Sequence, residues 1–386
     1  MQILVIEDED AKFEKFLEAF QERGITNDTI NRVDNLVDLL SLGENLSRYD
    51  LCLIDFFLPV RKGEKDVQNC VDDILKVLDN SNLSSVPVMA ITRHVAEPDF
   101  DDHKVKSKGI LAYDFEQEDI WKVAVDSFLA RAKDRHKYDF IGILALEEER
   151  LGFMRVPNID VESRKVVGLD AWEVKIGDWR GALFCLPKMG LVDAAVATSK
   201  IMSNYSPKVA FMSGICGGSE KTKMGQLLVT DFCWEYQSGK WIAEGFQSDP
   251  YQEGISEPLK ADLSILLKSR TNLVKDLEDD LHDLERPSKL AKPTMAIFAS
   301  GSAVVASKEQ MKKIKSQHRK VKGIDMEIFA FHRAMNLCED RIPHFSCKVV
   351  VDKADEQKDD ELHDYGCALS ALAAVEFMGE ILADQS

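Results

Sequence analysis

Three carboxylates stand directly after short apolar runs near the amino terminus: Glu7 and Asp8 after Ile3–Ile6, and Asp55 after Leu51–Ile54. Carboxylate oxygens that converge bind a hard divalent cation, most simply Mg²⁺. A metal-neutralised aspartate can attack a phosphoryl donor and become an aspartyl phosphate. Thr92, after the run Val86–Ile91, offers a hydroxyl to such a phosphoryl group. A second set of acids lies further along the chain. It comprises Glu147-Glu148-Glu149 before Arg150, Asp325 and Glu327 in Gly323-Ile-Asp-Met-Glu327, and Asp352 and Asp355 in Asp-Lys-Ala-Asp. Between them, Gly214-Ile-Cys-Gly-Gly218 is a glycine-rich turn of the kind that lets backbone approach a ligand closely. Acids of this kind suit general acid and base chemistry. Each alone has a plainer reading, since acids in a first helical turn simply suit the helix dipole. Cys216 has no histidine beside it and reads as a packing residue, and the eight histidines show no metal-ligand spacing.

These residues need elements to hold them. Residues 1–130 alternate buried-looking runs (Ile3–Ile6, Leu51–Ile54, Val86–Ile91, Gly109–Tyr113) with helical patterns at Ala11–Arg23, Asp66–Leu78 and Asp119–Ala132. Strands separated by helices imply βαβ units and a parallel sheet. A basic stretch over 131–138 closes the last helix and is expected to link two domains. From 139 to 386 a longer α/β unit begins with the strand Phe140–Leu146. Strands are expected at Val166–Ile176, Gly181–Leu186, Val209–Ser213, Gln226–Asp231, Met295–Ser300 and Cys347–Val351, and a polar insert at Asp276–Lys292.

Composition narrows the function classes. The 386 residues carry 67 acidic and 49 basic side chains, a net charge of −18. That field repels phosphate polymers and anionic membranes, so neither nucleic acid nor membrane is an expected partner. Eight scattered cysteines without CxxC spacing read as reduced thiols. No apolar run approaches the roughly 20 residues that span a bilayer, and no signal peptide is visible, so a soluble cytoplasmic protein is expected.

The amino-terminal set resembles the receiver domain of two-component response regulators over about 130 residues. The matches are Glu7-Asp8, Asp55 with Pro59 and Gly63 behind it, Thr92, and Gly109 with Tyr113. The resemblance implies a flavodoxin-like fold with a five-stranded parallel sheet. It implies that Asp55 is the phosphoacceptor, that Glu7, Asp8 and Asp55 hold Mg²⁺, and that Thr92 and Tyr113 act as the switch pair. Family members carry a lysine three residues past the Tyr113 position; Glu116 stands there in this chain, with Lys106 or Lys108 as stand-ins.

The second set resembles the nucleoside phosphorylase and nucleosidase superfamily, most closely its methylthioadenosine/S-adenosylhomocysteine nucleosidases, which implies an α/β domain with a mixed sheet. By this resemblance Asp352 protonates the departing purine and Glu149 activates water, with Glu148 as the alternative base. Gly217, Val304, Val305, Met326 and Glu327 bind substrate. Glu327 receives the ribose hydroxyls and Met326 packs on the sugar; Phe232 and Trp234 are candidates to stack on the base. Bacterial phosphorylases grip inorganic phosphate with an arginine and a serine where this chain has Met212 and Ile215, so hydrolysis is expected and no cofactor is required at this site.

The domain order resembles the effectors of Detocs-type phage-defence systems, in which a two-component relay switches on an ATP-depurinating domain. That implies phosphorylation-controlled release of adenine from ATP. A methylthioadenosine-type nucleosidase or a phosphorylase under two-component control is the alternative. A sensor kinase or phosphotransfer protein, a nucleotide substrate and a second copy of the chain are the implied partners. Arg150, Arg155, Lys188 and Arg333 are the cations near the motifs that a triphosphate needs.

Overall fold

The computed structural model describes residues 1–384 apart from 44, 45, 47, 48, 81–85, 97–99, 244, 250, 339 and 355–360. The chain forms two compact units, Met1–His136 and Lys137–Ser386.

In the first unit, short aliphatic strands form a five-stranded parallel sheet. Its spatial order is Ile30–Val33, Ile3–Ile6, Leu51–Ile54, Val88–Thr92 and Leu111–Asp114. Alternate residues face opposite sides, so both faces need apolar cover. Leu4, Ile6, Cys52 and Ile54 pack with Leu36, Leu39, Ile74 and Val105. Ile3, Val5, Leu51 and Leu53 pack with Phe16, Phe20, Trp121 and Phe128. The Ile3–Ile6 strand lies between the second and third strands, and the crevice of an open sheet forms at the carboxyl ends beside such a reversal. Glu7, Asp8 and Asp55 stand there.

Two local expectations change. The helix expected over Asp66–Leu78 starts only at Val71, because Val67–Asn69 pairs as a hairpin with Phe57–Pro59 and the Asn69 side chain accepts the Val71 N–H. The helix Glu118–Arg135 runs through most of the basic stretch at 131–138.

The second unit is built on a ten-stranded mixed sheet. Strands Val209–Gly218, Val321–Asp325, Thr294–Ser300, Leu227–Glu235 and His344–Asp352 pair in turn, and the last pairs back onto the first, closing a ring. Phe140–Leu144 extends the sheet from Val209–Gly218, followed by Trp179–Cys185, Leu169–Ile176 and Asp160–Val166. The single strand expected over Val166–Ile176 is thus a hairpin. Its turn, Val167-Gly168, has φ of 44° and 80°, the left-handed backbone that two-residue hairpins use. The stretch Asp276–Lys292 is no detached insert: it begins within the helix Leu273–Glu278, and Leu281 is buried in the main core with Leu273.

The helix His363–Ala383 is long and apolar enough to cross a membrane by length and composition. Tyr365, Leu369, Ala373 and Phe377 are fully buried in that same core, so here it is the central core helix.

Candidate active site

A cavity of about 230 Å³ opens in the second unit, among the carboxyl ends of several strands. Glu149, Gly217, Val304, Val305, Met326, Glu327 and Asp352 all line it. Residues separated by some 200 positions in sequence therefore meet at one site.

Glu149 comes from the short helix Glu147–Leu151 that follows the Phe140–Leu144 strand. Its Oε2 accepts the N–H groups of Ala145 at 2.7 Å and Leu146 at 3.2 Å, and its Oε1 accepts that of Ile215 at 2.9 Å. Glu147 and Glu148 face solvent. Arg150 turns away from the cavity to pair with Glu147 and Asp170 over the Trp172 ring. The acid triplet thus contributes its third member. Gly214 makes room for it: its φ is +145°, and a Cβ there would lie 1.8 Å from Glu149 Oε1. Only glycine permits that approach.

Asp352 ends the His344–Asp352 strand, and its Oδ1 accepts the Ala354 N–H at 2.7 Å. Ala354 holds a φ of 52°, a strained conformation for a residue with a side chain. Gly217 passes close by, with room for a Cβ only 3.0 Å from the same Oδ1. Asp325 and Glu327 divide two duties. Asp325 accepts the N–H groups of Ile328 and Glu327 at 2.8 and 3.2 Å, starting the helix Ile328–Leu337, and takes a 2.6 Å hydrogen bond from Ser300. Glu327 turns to the cavity, where its Oε1 accepts the Gly190 N–H at 3.0 Å.

The residue that sequence reasoning missed is Lys348. It sits in the fully buried strand His344–Asp352 and is 1 % exposed. Its ammonium lies 3.3 Å from Glu327, 3.6 Å from Glu149 and 3.8 Å from Asp325. The available signal was a lysine within an apolar strand, since a buried charge requires partners. Burial alone would strip its proton, but the three carboxylates outweigh that cost and push its pKa up. Burial also raises the pKa of Glu149, against the lowering pull of Lys348. Asp325 is pushed up to about 6 by burial, again opposed by Lys348. Burial holds the Cys216 thiol well above its ordinary pKa, so this cavity residue is no thiolate nucleophile.

The expected base-stacking aromatics are elsewhere. Trp234 is buried with its indole N–H on Gln317, and Phe232 packs edge-on against His318. Aliphatic Ile215, Val304 and Val305 form walls instead. Three of the four cations named near the motifs, Arg150, Arg155 and Arg333, are engaged away from the cavity. Arg155 holds Asp283 with two bonds of 2.9 Å, and Arg333 holds Glu253 and Tyr251. Lys188 is exposed beside the cavity residue Met189. Asp355 falls outside the described residues.

In the first unit Glu7 and Asp55 are buried and Asp8 is half-buried. Thr92 is buried at the end of its strand, and Tyr113 is half-buried on the neighbouring one, opposite Ile91. Glu116 pairs with Arg93 at 2.9 Å, while Lys106 and Lys108 pair with Asp102 and Asp79. The cation at this cluster is Lys12, from the helix Asp10–Gln21, which the sequence reading did not single out. Its ammonium bonds Asp55 and lies 2.6 Å from Glu7. Burial lifts the Glu7 carboxyl to about 7 against the pull of Lys12.

A family model described as the phosphorylase superfamily matches residues 140–383. Protein y4jS of Sinorhizobium fredii is 28 % identical over 414 aligned positions, covering 97 % of this chain and 98 % of that protein. ATP nucleosidase Cap17 of Escherichia coli is 23 % identical over 228 residues, 55 % of this chain; the match spans 44 % of Cap17. Among solved structures, the 5′-methylthioadenosine/S-adenosylhomocysteine nucleosidase of Colwellia psychrerythraea in complex with adenine superposes with a TM-score of 0.50 at 16 % identity. That match covers 63 % of this chain and 96 % of the other.

Proposed function

The chain belongs to the phosphorylase superfamily through residues 140–383, and from that membership we propose that its second unit hydrolyses the N-glycosidic bond of an adenine nucleotide, with ATP as the substrate. The observation that carries this reading is the convergence of Glu149, Glu327, Asp352 and Lys348 on one cavity. Cleavage of this bond builds positive charge on the ribose and negative charge on the leaving base. Asp352 gives a proton to the purine as it departs. Glu149 takes a proton from the attacking water, and the ammonium of Lys348 favours the ionised carboxylate against the opposing effect of burial. Glu327 accepts the ribose hydroxyls, and Met326 covers the sugar. The products are adenine and a ribose triphosphate.

Water rather than phosphate is the nucleophile in this reading. Lys348 is the one lysine or arginine that lines the cavity among the described residues, and three carboxylates already neutralise it. Met212 is fully buried and Ile215 is aliphatic, so neither grips an anion. Similarity to Cap17 supports ATP as the substrate. The cavity walls favour a second reading. Met189, Met326 and Val304 are apolar, which suits an uncharged 5′ group such as that of methylthioadenosine. For ATP the missing cations come from a second copy of the chain.

The first unit supplies control in this proposal, with Asp55 as the phosphoacceptor for a sensor kinase or phosphotransfer protein and Thr92 and Tyr113 as the switch pair. The whole serves as a cytoplasmic effector of antiviral defence. Glu7, Asp8 and Asp55 offer the oxygen donors that Mg²⁺ takes, but Lys12 sits on the inward oxygens of Glu7 and Asp55, and among the described residues no three such side chains are placed to hold an ion as they stand.

The test is adenine release, followed chromatographically, from ATP, dATP and methylthioadenosine with and without inorganic phosphate. Release from ATP without phosphate is the expected result. Release from methylthioadenosine alone favours the second reading, and strict phosphate dependence overturns hydrolysis.

A further inference from the structure

We infer that Arg150 is a positioning residue for Glu149: its guanidinium ties the short helix that carries the base to the strand Leu169–Ile176, and so fixes where the carboxylate stands. This inference rests on the reading of Glu149 as the base that activates water.

Arg150 follows Glu149 directly on the helix Glu147–Leu151 and is 4 % exposed. Its Nη2 donates to Glu147 Oε2 at 2.5 Å, within the helix, and to Asp170 Oδ2 at 2.7 Å, on another element. Asp170 and Trp172 stand two apart on one strand and so share a face. The guanidinium lies over that indole, its carbon 4.8 Å from the ring centroid. In the sheet, Trp179–Cys185 lies between Phe140–Leu144, which leads into the helix, and Leu169–Ile176. The tie therefore spans an intervening strand. The far end of the helix is held by close approach instead: a Cβ at Gly152 would lie 2.5 Å from the carbonyl oxygen of Cys367 on the core helix. Glu149 sits between these two holds.

The pairing is poorly suited to stability alone. Arg150 Nε and Nη1 are buried and meet no acceptor among the described residues, and donors left unmet in this way are costly. Both partner carboxylates reach solvent, with side chains 47 % exposed for Glu147 and 63 % for Asp170, so water screens their attraction. An apolar side chain over Trp172 would fill the same place without the unmet donors. What the arginine adds is a directed bond from the helix to Asp170. Its effect on Glu149 runs through position. That carboxylate accepts the N–H groups of Ala145, Leu146 and Ile215, bonds that hold only while the helix stays seated.

Asp170→Ala in the full chain tests this, because charge and position act on Glu149 with opposite sign. Loss of a nearby negative charge lowers the Glu149 pKa, whereas loosened N–H bonds, which favour the ionised carboxylate, raise it. Adenine release is followed across pH on whichever of ATP and methylthioadenosine the native chain cleaves. The acid limb of kcat/KM is expected to move up by about one pH unit in Asp170→Ala, the scale of one weakened bond to a charged group. At neutral pH its kcat is expected to fall about tenfold with KM within about twofold of native. A smaller folded fraction would scale the rate and leave the limb in place. Arg150→Met is expected to behave alike, and the double variant to be no slower than Arg150→Met alone, since both open one tie. A limb that stays or moves down in Asp170→Ala, or additive losses in the double variant, with Glu149→Gln inactive, overturns the positioning role and leaves Glu149 as the base. Adenine release by Glu149→Gln overturns both.

Discussion

Gly214 and Glu149 show how narrowly single residues set this site. An alanine at 214 would place its methyl group on top of the Glu149 carboxylate. Gly214→Ala is therefore expected to lower kcat by about a hundredfold, because misplacing a reacting group by an ångström has that scale of effect. The Glu149→Gln and Glu148→Gln pair separates the two acids: the first should abolish adenine release, and the second should leave it within about twofold, as expected of an exposed side chain. Lys348 fixes the pH profile. As the proposed base Glu149 must be ionised to act, and burial raises its pKa, so activity should fall as pH drops through a value above the ordinary carboxylate range. Removing the ammonium raises that pKa further. Lys348→Met should move the acid limb of kcat/KM to higher pH; an unmoved limb would count against the pairing.

At the scale of elements, the sheet of the first unit was largely readable. Runs such as Ile3–Ile6 and Leu51–Ile54 are continuous and aliphatic, and the acids after them mark where each strand stops. The hairpin at Val167-Gly168 was not readable, because a valine in left-handed backbone hides the turn inside an apparently continuous strand. The two decisive lysines were missed for a different reason. Lys12 and Lys348 take their meaning from carboxylates on other elements: a lysine in an apolar strand signals that Lys348 needs partners, but the local pattern does not say which acids they are. The motif acids were legible because their order along the chain matched a known family, whereas the base-stacking aromatics were assigned by type alone and proved to face elsewhere. The core helix His363–Ala383 gives a stability test. Leu369 is fully buried among the sheet residues, so Leu369→Ala should cost about 2–5 kcal/mol in chemical denaturation.

At the scale of the molecule, the proposed reading gives the two units different chemistries, and any coupling between them is open to direct measurement. Asp55→Asn should keep basal adenine release but lose any stimulation by acetyl phosphate, whereas Asp352→Asn should lose both. If Asp55→Asn remains fully stimulated, control does not pass through that carboxylate. The closed ring of strands bears on how the second unit can fail. Gly214, Ser300, Asp325, Lys348 and Asp352 all hang from members of that ring. A hoop has no loose end from which to fray, and slipping one strand by a single residue would reverse every side chain on it. Catalytic competence and the structure of the second unit should therefore disappear together in urea, with coincident midpoints, and no form with that unit folded but inactive should accumulate between them.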